Sequence, residues 1–79
     1  MQRQLNEEDI WKAKDIYLYD GSTLYVVDEN DRAYGYCQGS KEWFYKKNFW
    51  DYFDSGLMLA YFTIPTREEA VRLYRSWNG

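Results

Sequence analysis

The stretch IYLYDGSTLYVVDENDRAYGYC, residues 16–37, decides the fold of this 79-residue chain. Apolar, β-branched and aromatic residues alternate in three short runs, at residues 16–19, 23–27 and 33–37. Turn-forming residues separate the runs, at positions 20–22 and 28–31. Short alternating runs with such turns are typical of antiparallel strands joined as hairpins. The stretch therefore predicts three antiparallel strands that follow one another in the sheet.

Further elements are predicted after this stretch. Another turn at residues 38–40 leads into a fourth strand at 43–46, and an apolar run at 57–64 predicts a fifth strand that ends at Pro65. The aromatic segment 49–53 suits either a strand or one or two helical turns that begin after Asn48 and end at Gly56, and we favour the helix.

Helices are predicted at both ends of the chain. Asn6 can cap a short helix that ends near Lys14, and the acidic first turn suits the positive helix terminus. Thr66 and Glu69 have the spacing of a capping box at the start of the last helix. That helix carries an apolar stripe for packing on the sheet: Ala70, Val71, Leu73, Tyr74 and Trp77. The predicted fold class is α+β, a small antiparallel sheet of about four to five short strands packed against a C-terminal helix, with a short N-terminal helix.

Length and composition predict a single domain over residues 1–79. Chains this short bury only about 60% of their unfolded surface, but aromatic residues, which bury large areas, make up 22% of this one. Cys37 is the only cysteine, whereas small secreted chains usually carry several. The polar start has no signal-peptide pattern, and no apolar run is long enough to span a membrane. The expected location is a reducing cytoplasm, without membrane association.

The residue types argue against catalysis. The chain has no histidine, which removes Ser-His-Asp and Cys-His mechanisms and histidine zinc sites. A small buried thiol is the expected state of Cys37, since no second cysteine or histidine can activate it. The acidic turn at 28–31 lacks the glycine and glutamate of a calcium loop, because Ala33 and Gly39 occupy those places. We therefore expect no enzyme, no metal and no cofactor.

Charge disfavours direct binding of nucleic acid. The net charge is −3, and residues 1–40 carry eight acidic against four basic side chains. Affinity for phosphate backbones comes from lysine and arginine. A further hypothesis is that clustered carboxylates bind a protein partner by imitating such a backbone, with these candidate residues: Asp28, Glu29 and Asp31. The simpler interpretation, solvated turns, is favoured.

One short motif resembles an RNA-recognition strand. Residues 32–37, RAYGYC, match part of the pattern [KR]-G-[FY]-[GA]-F-V, whose aromatic residues stack on bases. The chain lacks the helix that separates the first two strands of that fold, and it is acidic. A structural role for Tyr34 and Tyr36 is therefore favoured.

Strand alternation sorts the predicted sheet into two faces. One face is expected to pack under the C-terminal helix, with Ile16, Leu18, Leu24, Val26, Ala33, Gly35 and Cys37. The other is expected to be rich in tyrosine, and the residues of this face that we predict to bind a partner are Tyr17, Tyr19, Tyr34, Tyr36 and Trp43. Tyrosine and tryptophan dominate interface hot spots. Whether other elements cover this face is left open.

These expectations favour a non-catalytic protein-binding module. By analogy alone, small acidic α+β chains serve phages and mobile elements as inhibitors or accessory factors of host nucleic-acid-handling complexes, in an anti-CRISPR-like role. The alternative is binding of single-stranded nucleic acid or carbohydrate through an aromatic sheet face. A protein partner is expected, and a homodimer is left open.

Overall fold

The computed structural model of this chain describes residues 4–53 and 61–78. In chain order the elements are α1 (Glu7–Lys12), β1 (Asp15–Tyr19), β2 (Thr23–Val27), β3 (Ala33–Cys37), β4 (Trp43–Tyr45), α2 (Phe49–Phe53), β5 (Phe62–Thr63) and α3 (Arg67–Asn78). The five strands form one antiparallel sheet in the order β4-β3-β2-β1-β5. The predicted α+β fold class is thus confirmed.

The local signals place most elements where they were predicted. The strands β2 and β3 have the predicted bounds, and α2 is helical. Asn48, before α2, has a φ of 63°, in the left-handed region and not in the extended conformation usual for a capping residue. β5 is shorter than the predicted run, of which residues 57–60 lie outside the described residues, as does Gly56.

Side chains cap both terminal helices. Asn6 accepts a hydrogen bond from the amide of Asp9, and the Asp9 carboxylate accepts one from the amide of Asn6, at 3.2 and 2.9 Å. Thr66 and Glu69 make the same reciprocal pair at α3, at 3.1 and 3.3 Å. Each pair satisfies backbone amides that a helix terminus leaves unbonded.

The pairing register assigns every strand residue to a face. Val26 lies opposite Tyr34 and Leu24 opposite Tyr36, and antiparallel residues that face each other share a side of the sheet. The tyrosines of β3 therefore lie with the aliphatic residues of β1 and β2. The predicted assignment of β3 was wrong, since Ala33, Gly35 and Cys37 lie on the opposite face.

The sheet separates two apolar clusters. The face that α1 and α3 cover, which we call the helix face, carries Ile16, Leu18, Leu24, Val26, Tyr34, Tyr36, Trp43 and Tyr45. The face that α2 covers, which we call the aromatic face, carries Tyr17, Tyr19, Tyr25, Val27, Ala33, Gly35 and Phe44, with Phe49, Trp50 and Phe62 packed around them. Both faces of this small sheet are therefore used for packing.

Arginines of α3 connect it to α1. Arg67 donates to the carbonyl oxygens of Trp11 and Ala13, and Arg75 pairs with the carboxylate of Glu7. These contacts hold the two helices side by side over the helix face.

Removing the α3 cap should weaken the fold. Thr66→Ala is expected to lower the free energy of unfolding by about 1 kcal/mol, because the amide of Glu69 loses its acceptor. Thr66→Ser retains the hydroxyl and should be almost neutral. Urea unfolding of the three proteins measures this, and equal stability of all three would contradict a stabilising role for this cap.

The Glu7–Arg75 pair should make stability depend on acid pH. The hydrogen bond from Arg75 lowers the pKa of Glu7 below its ordinary value of 4.5. A group with a lowered folded-state pKa stabilises the fold above its ordinary pKa, and this contribution is lost as pH falls through the folded-state pKa. Stability should therefore fall more steeply below pH 4.5 in the wild type than in Glu7→Gln.

Urea unfolding at neutral and acid pH measures this difference. It should be small, since the Arg75 side chain is 68% exposed and the Glu7 side chain 36%. Glu68→Gln, on the same helix as Arg75, is the matched control and should retain the wild-type dependence. An identical pH dependence in Glu7→Gln and the wild type would show that the pair contributes nothing.

Candidate protein-binding surface

The tyrosines of β3 belong to the core beneath the helices. Tyr36 is 1% exposed, Tyr34 6% and Trp43 3%. The ring of Tyr36 lies 5.0 Å from Trp43 and 5.1 Å from Tyr74, measured between centroids. Its hydroxyl donates to Asn78 at 3.2 Å, and burial raises its pKa. Other elements thus cover Tyr34, Tyr36 and Trp43, a question that the sequence left open, and these three predicted partner-binding residues are not on an exposed surface of the single chain.

Burial also explains the motif that resembles an RNA-recognition strand. Tyr34 and Tyr36 face α1 and α3, so their rings have no open surface on which bases could stack. Gly35, between them, makes room for the ring of Phe44 on the aromatic face. A Cβ atom at residue 35 would lie only 2.3 Å from the Phe44 ring. The pattern Tyr-Gly-Tyr serves packing on both faces of the sheet.

The aromatic face has a buried centre and a partly exposed rim. Tyr25 and Phe49 form the centre, at 6% and 2% exposure, with ring centroids 5.1 Å apart. Among the described side chains, five aromatic ones around them are only partly buried: Tyr17, Tyr19, Phe44, Trp50 and Phe62. Two of the predicted partner-binding residues, Tyr17 and Tyr19, thus lie in this rim.

The rings of the rim contact one another and the centre. The ring of Tyr17 lies 5.8 Å from Phe49 and 6.3 Å from both Trp50 and Phe62, the last two contacts being edge-on. Tyr19 lies 5.1 Å from Phe62. Edge-on and tilted contacts of this kind are the favoured geometries of aromatic pairs. Tyr17, Tyr19, Trp50 and Phe62 thus form a linked set of rings, and Phe44 joins the rim through its contact with Tyr25 at the centre.

Sequence reasoning missed Trp50 and Phe62 as members of this surface. The signal for Trp50 was the short helix predicted at residues 49–53. In the structure this helix places the Trp50 ring beside Tyr17, and the indole nitrogen of Trp50 donates to the Asp31 carbonyl oxygen at 3.4 Å. A pocket of about 150 Å³ opens at this end of the rim. It is lined by Asp31, Ala33, Tyr45, Lys46, Asn48, Phe49, Trp50 and Asp51.

The predicted acidic residues have mostly local roles. The Asp28 carboxylate accepts hydrogen bonds from the amides of Asn30 and Arg32, both at 2.9 Å, and so shapes the β2–β3 loop. Asp31, whose φ is 61°, pairs with Lys14 at 2.6 Å. Glu29 is exposed on the same loop. All three residues lie on the β2–β3 loop, but two of the three carboxylates are engaged within the chain.

The remaining chemistry is sparse in the described part of the chain. Cys37 is half-buried, and its sulfur lies 3.6 Å from the Thr23 hydroxyl. Within residues 4–53 and 61–78, no group of three or more possible metal-ligating side chains comes together, and no helix has the length and apolar character needed to cross a membrane.

Comparison of the chain with protein-family models, with curated proteins and with solved structures finds no match.

Truncation of Tyr36 should be severe. Tyr36→Ala is expected to cost about 3–5 kcal/mol of unfolding free energy, the range for large aromatic deletions in cores. Tyr36→Phe removes only the hydrogen bond to Asn78 and should cost about 1 kcal/mol. Thermal and urea melts measure both. A Tyr36→Ala protein as stable as the wild type would contradict the buried position of this ring.

Proposed function

We propose that this chain is a non-catalytic protein-binding module and that its contact surface is the rim of the aromatic face. The observation that carries this proposal is the set of five aromatic side chains left partly exposed around Tyr25 and Phe49. Rigid aromatic rings lose little rotamer entropy on binding and dominate the energetics of protein interfaces. The absence of histidine from the chain agrees with a non-catalytic role.

The charges near Trp50 favour a partner that presents arginine or lysine. Asp51 follows Trp50 and is exposed, and the carbonyl oxygen of Asp31 already accepts from the indole of Trp50. A guanidinium can stack on an indole ring and pair with a neighbouring carboxylate. We therefore expect a cationic side chain of the partner to lie against Trp50 and Asp51.

This partner chemistry fits an inhibitor or accessory factor of a nucleic-acid-handling complex. Such complexes present lysine and arginine to phosphate backbones. The chain's net charge of −3 would speed association with a cationic surface. More specifically, we propose that the chain acts on a host complex in the cytoplasm, as a phage or mobile-element inhibitor would. Of the predicted acidic residues, Asp31 lies closest to this surface, because it lines the pocket beside Trp50, and its carboxylate also pairs with Lys14.

The alternative, stacking of bases or sugars on the rim, is less well supported. Single-stranded nucleic acid needs cations along its backbone as well as stacking rings. Among the described residues that line the pocket at Trp50, Lys46 is the only cation, and Asp31 and Asp51 also lie there.

Substitution of Trp50 should reduce partner binding. The chain is immobilised as bait and exposed to nuclease-treated lysate of the cells that encode it. The partner protein that the bait retains is quantified per folded bait molecule. Trp50→Ala should lower affinity by about 2 kcal/mol, as expected for a tryptophan hot spot. Trp11→Ala is the matched control, since Trp11 is 45% exposed on α1, on the other side of the sheet. It should retain binding.

A pair of charge reversals tests the electrostatic part. Asp51→Lys should weaken binding and make it less sensitive to salt. Glu68→Lys makes the same change in net charge on an exposed position of α3 and should weaken binding less than Asp51→Lys. Equal retention by Trp50→Ala and the wild type would overturn the proposed surface. Capture that nuclease abolishes, or binding of a labelled single-stranded oligonucleotide by the purified protein, would favour the nucleic-acid alternative.

A further inference from the structure

A cavity of about 170 Å³ lies between α1 and the end of β2, on the side of the sheet that the two helices cover. Its floor is apolar, because Leu5, Ala13 and Val26 are buried members of the helix-face cluster. Pockets for cofactors and drug-sized ligands measure roughly 300–1,000 Å³. This cavity therefore has room for a single side chain or a similarly small molecule.

The rim of the cavity is acidic. Asp9, Asp28 and Glu29 line it, and Lys12 is the one basic residue among the described lining residues. The ammonium of Lys12 lies 2.8 Å from the carboxylate of Glu8, so it is paired along α1. A cation that approaches the cavity therefore meets a rim of net negative charge.

Backbone hydrogen bonds fix the two aspartates of the rim. The Asp9 carboxylate accepts from the amide of Asn6, and the Asp28 carboxylate accepts from two amides of the β2–β3 loop, all three at 2.9 Å. These bonds orient the carboxylates and leave their charge in place. Glu29 is exposed, and its longer side chain can move to pair with a bound cation. The aspartates thus supply a fixed negative field, and Glu29 supplies the pairing group.

The arrangement favours an organic cation over a metal ion. Within residues 4–53 and 61–78, no group of three or more possible metal-ligating side chains comes together, so the three carboxylates surround the cavity without converging on one point. A primary alkylammonium carries an apolar stem for the floor and a charge for the rim. Its ammonium is a point charge that gains from several carboxylates at once, whereas a guanidinium gains most from one planar, bidentate partner.

We propose that this cavity binds a lysine side chain of a protein partner. The methylene stem lies on Leu5, Ala13 and Val26, and the ammonium pairs with Glu29. The inference goes beyond the proposed function, because it adds a contact on the helix face, whereas the rim lies on the aromatic face. Only the source of the lysine, a protein, rests on the proposed function. The preference for an alkylammonium rests on the apolar floor and the acidic rim.

NMR titration of the full chain with n-butylammonium chloride tests the cavity, since this probe has the stem and the charge of lysine. The backbone amides of Ala13, Val26 and Glu29 should shift and saturate in the millimolar range, because a ligand of about five non-hydrogen atoms gains few contacts. At equal ionic strength, n-butanol lacks the charge and should bind about threefold more weakly. Ammonium chloride lacks the stem and should bind about tenfold more weakly.

Charge variants check the rim by the same titration. Glu29→Gln should raise the dissociation constant of n-butylammonium about threefold, because the pairing carboxylate is lost. Lys12→Gln should lower it, because the cation of the rim is removed. Glu42→Gln is the matched control, since Glu42 is exposed and does not line the cavity, and it should bind as the wild type does. Circular dichroism confirms that each variant is folded.

Two further titrations separate this site from the rim and identify the source of the cation. Trp50→Ala should bind n-butylammonium as the wild type does, so the cavity and the rim of the aromatic face can fail independently. A glycyl-lysyl-glycine peptide with both ends blocked should shift the same three amides. Shifts from the free diamine putrescine, with none from the peptide, would overturn the assignment to a protein lysine. No saturable shift with n-butylammonium, or equal binding by Glu29→Gln and the wild type, would overturn the site itself.

Discussion

The pairing of Leu24 with Tyr36 is the constraint on which the rest of the structure depends. It places the largest fully buried side chain of the described chain between the sheet and α3, with ring centroids at 5.0 to 6.5 Å from Trp43, Tyr74 and Trp77. The same pairing turns the intervening residues, Tyr25 and Gly35, to the other face. One register therefore fixes two cores, one under α1 and α3 and one under α2.

The elements of this fold follow from local signals, but the faces require the register. The caps at Asn6 and Thr66 and the alternation in β2 and β3 depend on neighbouring residues only, and these were predicted correctly. Grouping β3 by side-chain type placed its small residues with the aliphatic ones. Pairing the strand ends, Val27 with Ala33 across the loop of residues 28–32, gives the opposite result. The length of this loop decides which residues of β3 share a face with which residues of β2. The Asp28 carboxylate accepts hydrogen bonds from two amides of the loop and so favours its observed shape.

The candidate surface could be predicted only in part, because it is assembled from segments distant in sequence. Tyr17 and Tyr19 were expected on a tyrosine-rich face, and alternation along β1 is sufficient for that. Trp50 and Phe62 join them only because α2 and β5 pack beside β1, which no local pattern specifies. Phe44 lies over Gly35 because the missing Cβ leaves room for its ring. In so small a domain, aromatic rings cover large areas, so a few of them fill both faces and still leave a rim in contact with solvent.

The two edge strands of the sheet differ in the side on which a side chain bonds to the backbone. On β5, the hydroxyl of Thr63 donates to the Leu18 carbonyl oxygen at 3.4 Å, a bond directed inward to β1. On β4, the Gln4 amide lies on the outer side and satisfies both backbone groups of one residue. Only asparagine and glutamine side chains carry a donor and an acceptor in the arrangement of a peptide group. Gln4 has the longer reach of the two, and it precedes α1, which is fixed by Asn6 and by the contacts with α3. Gln4 thus ties β4 to the segment of the chain that leads into α1.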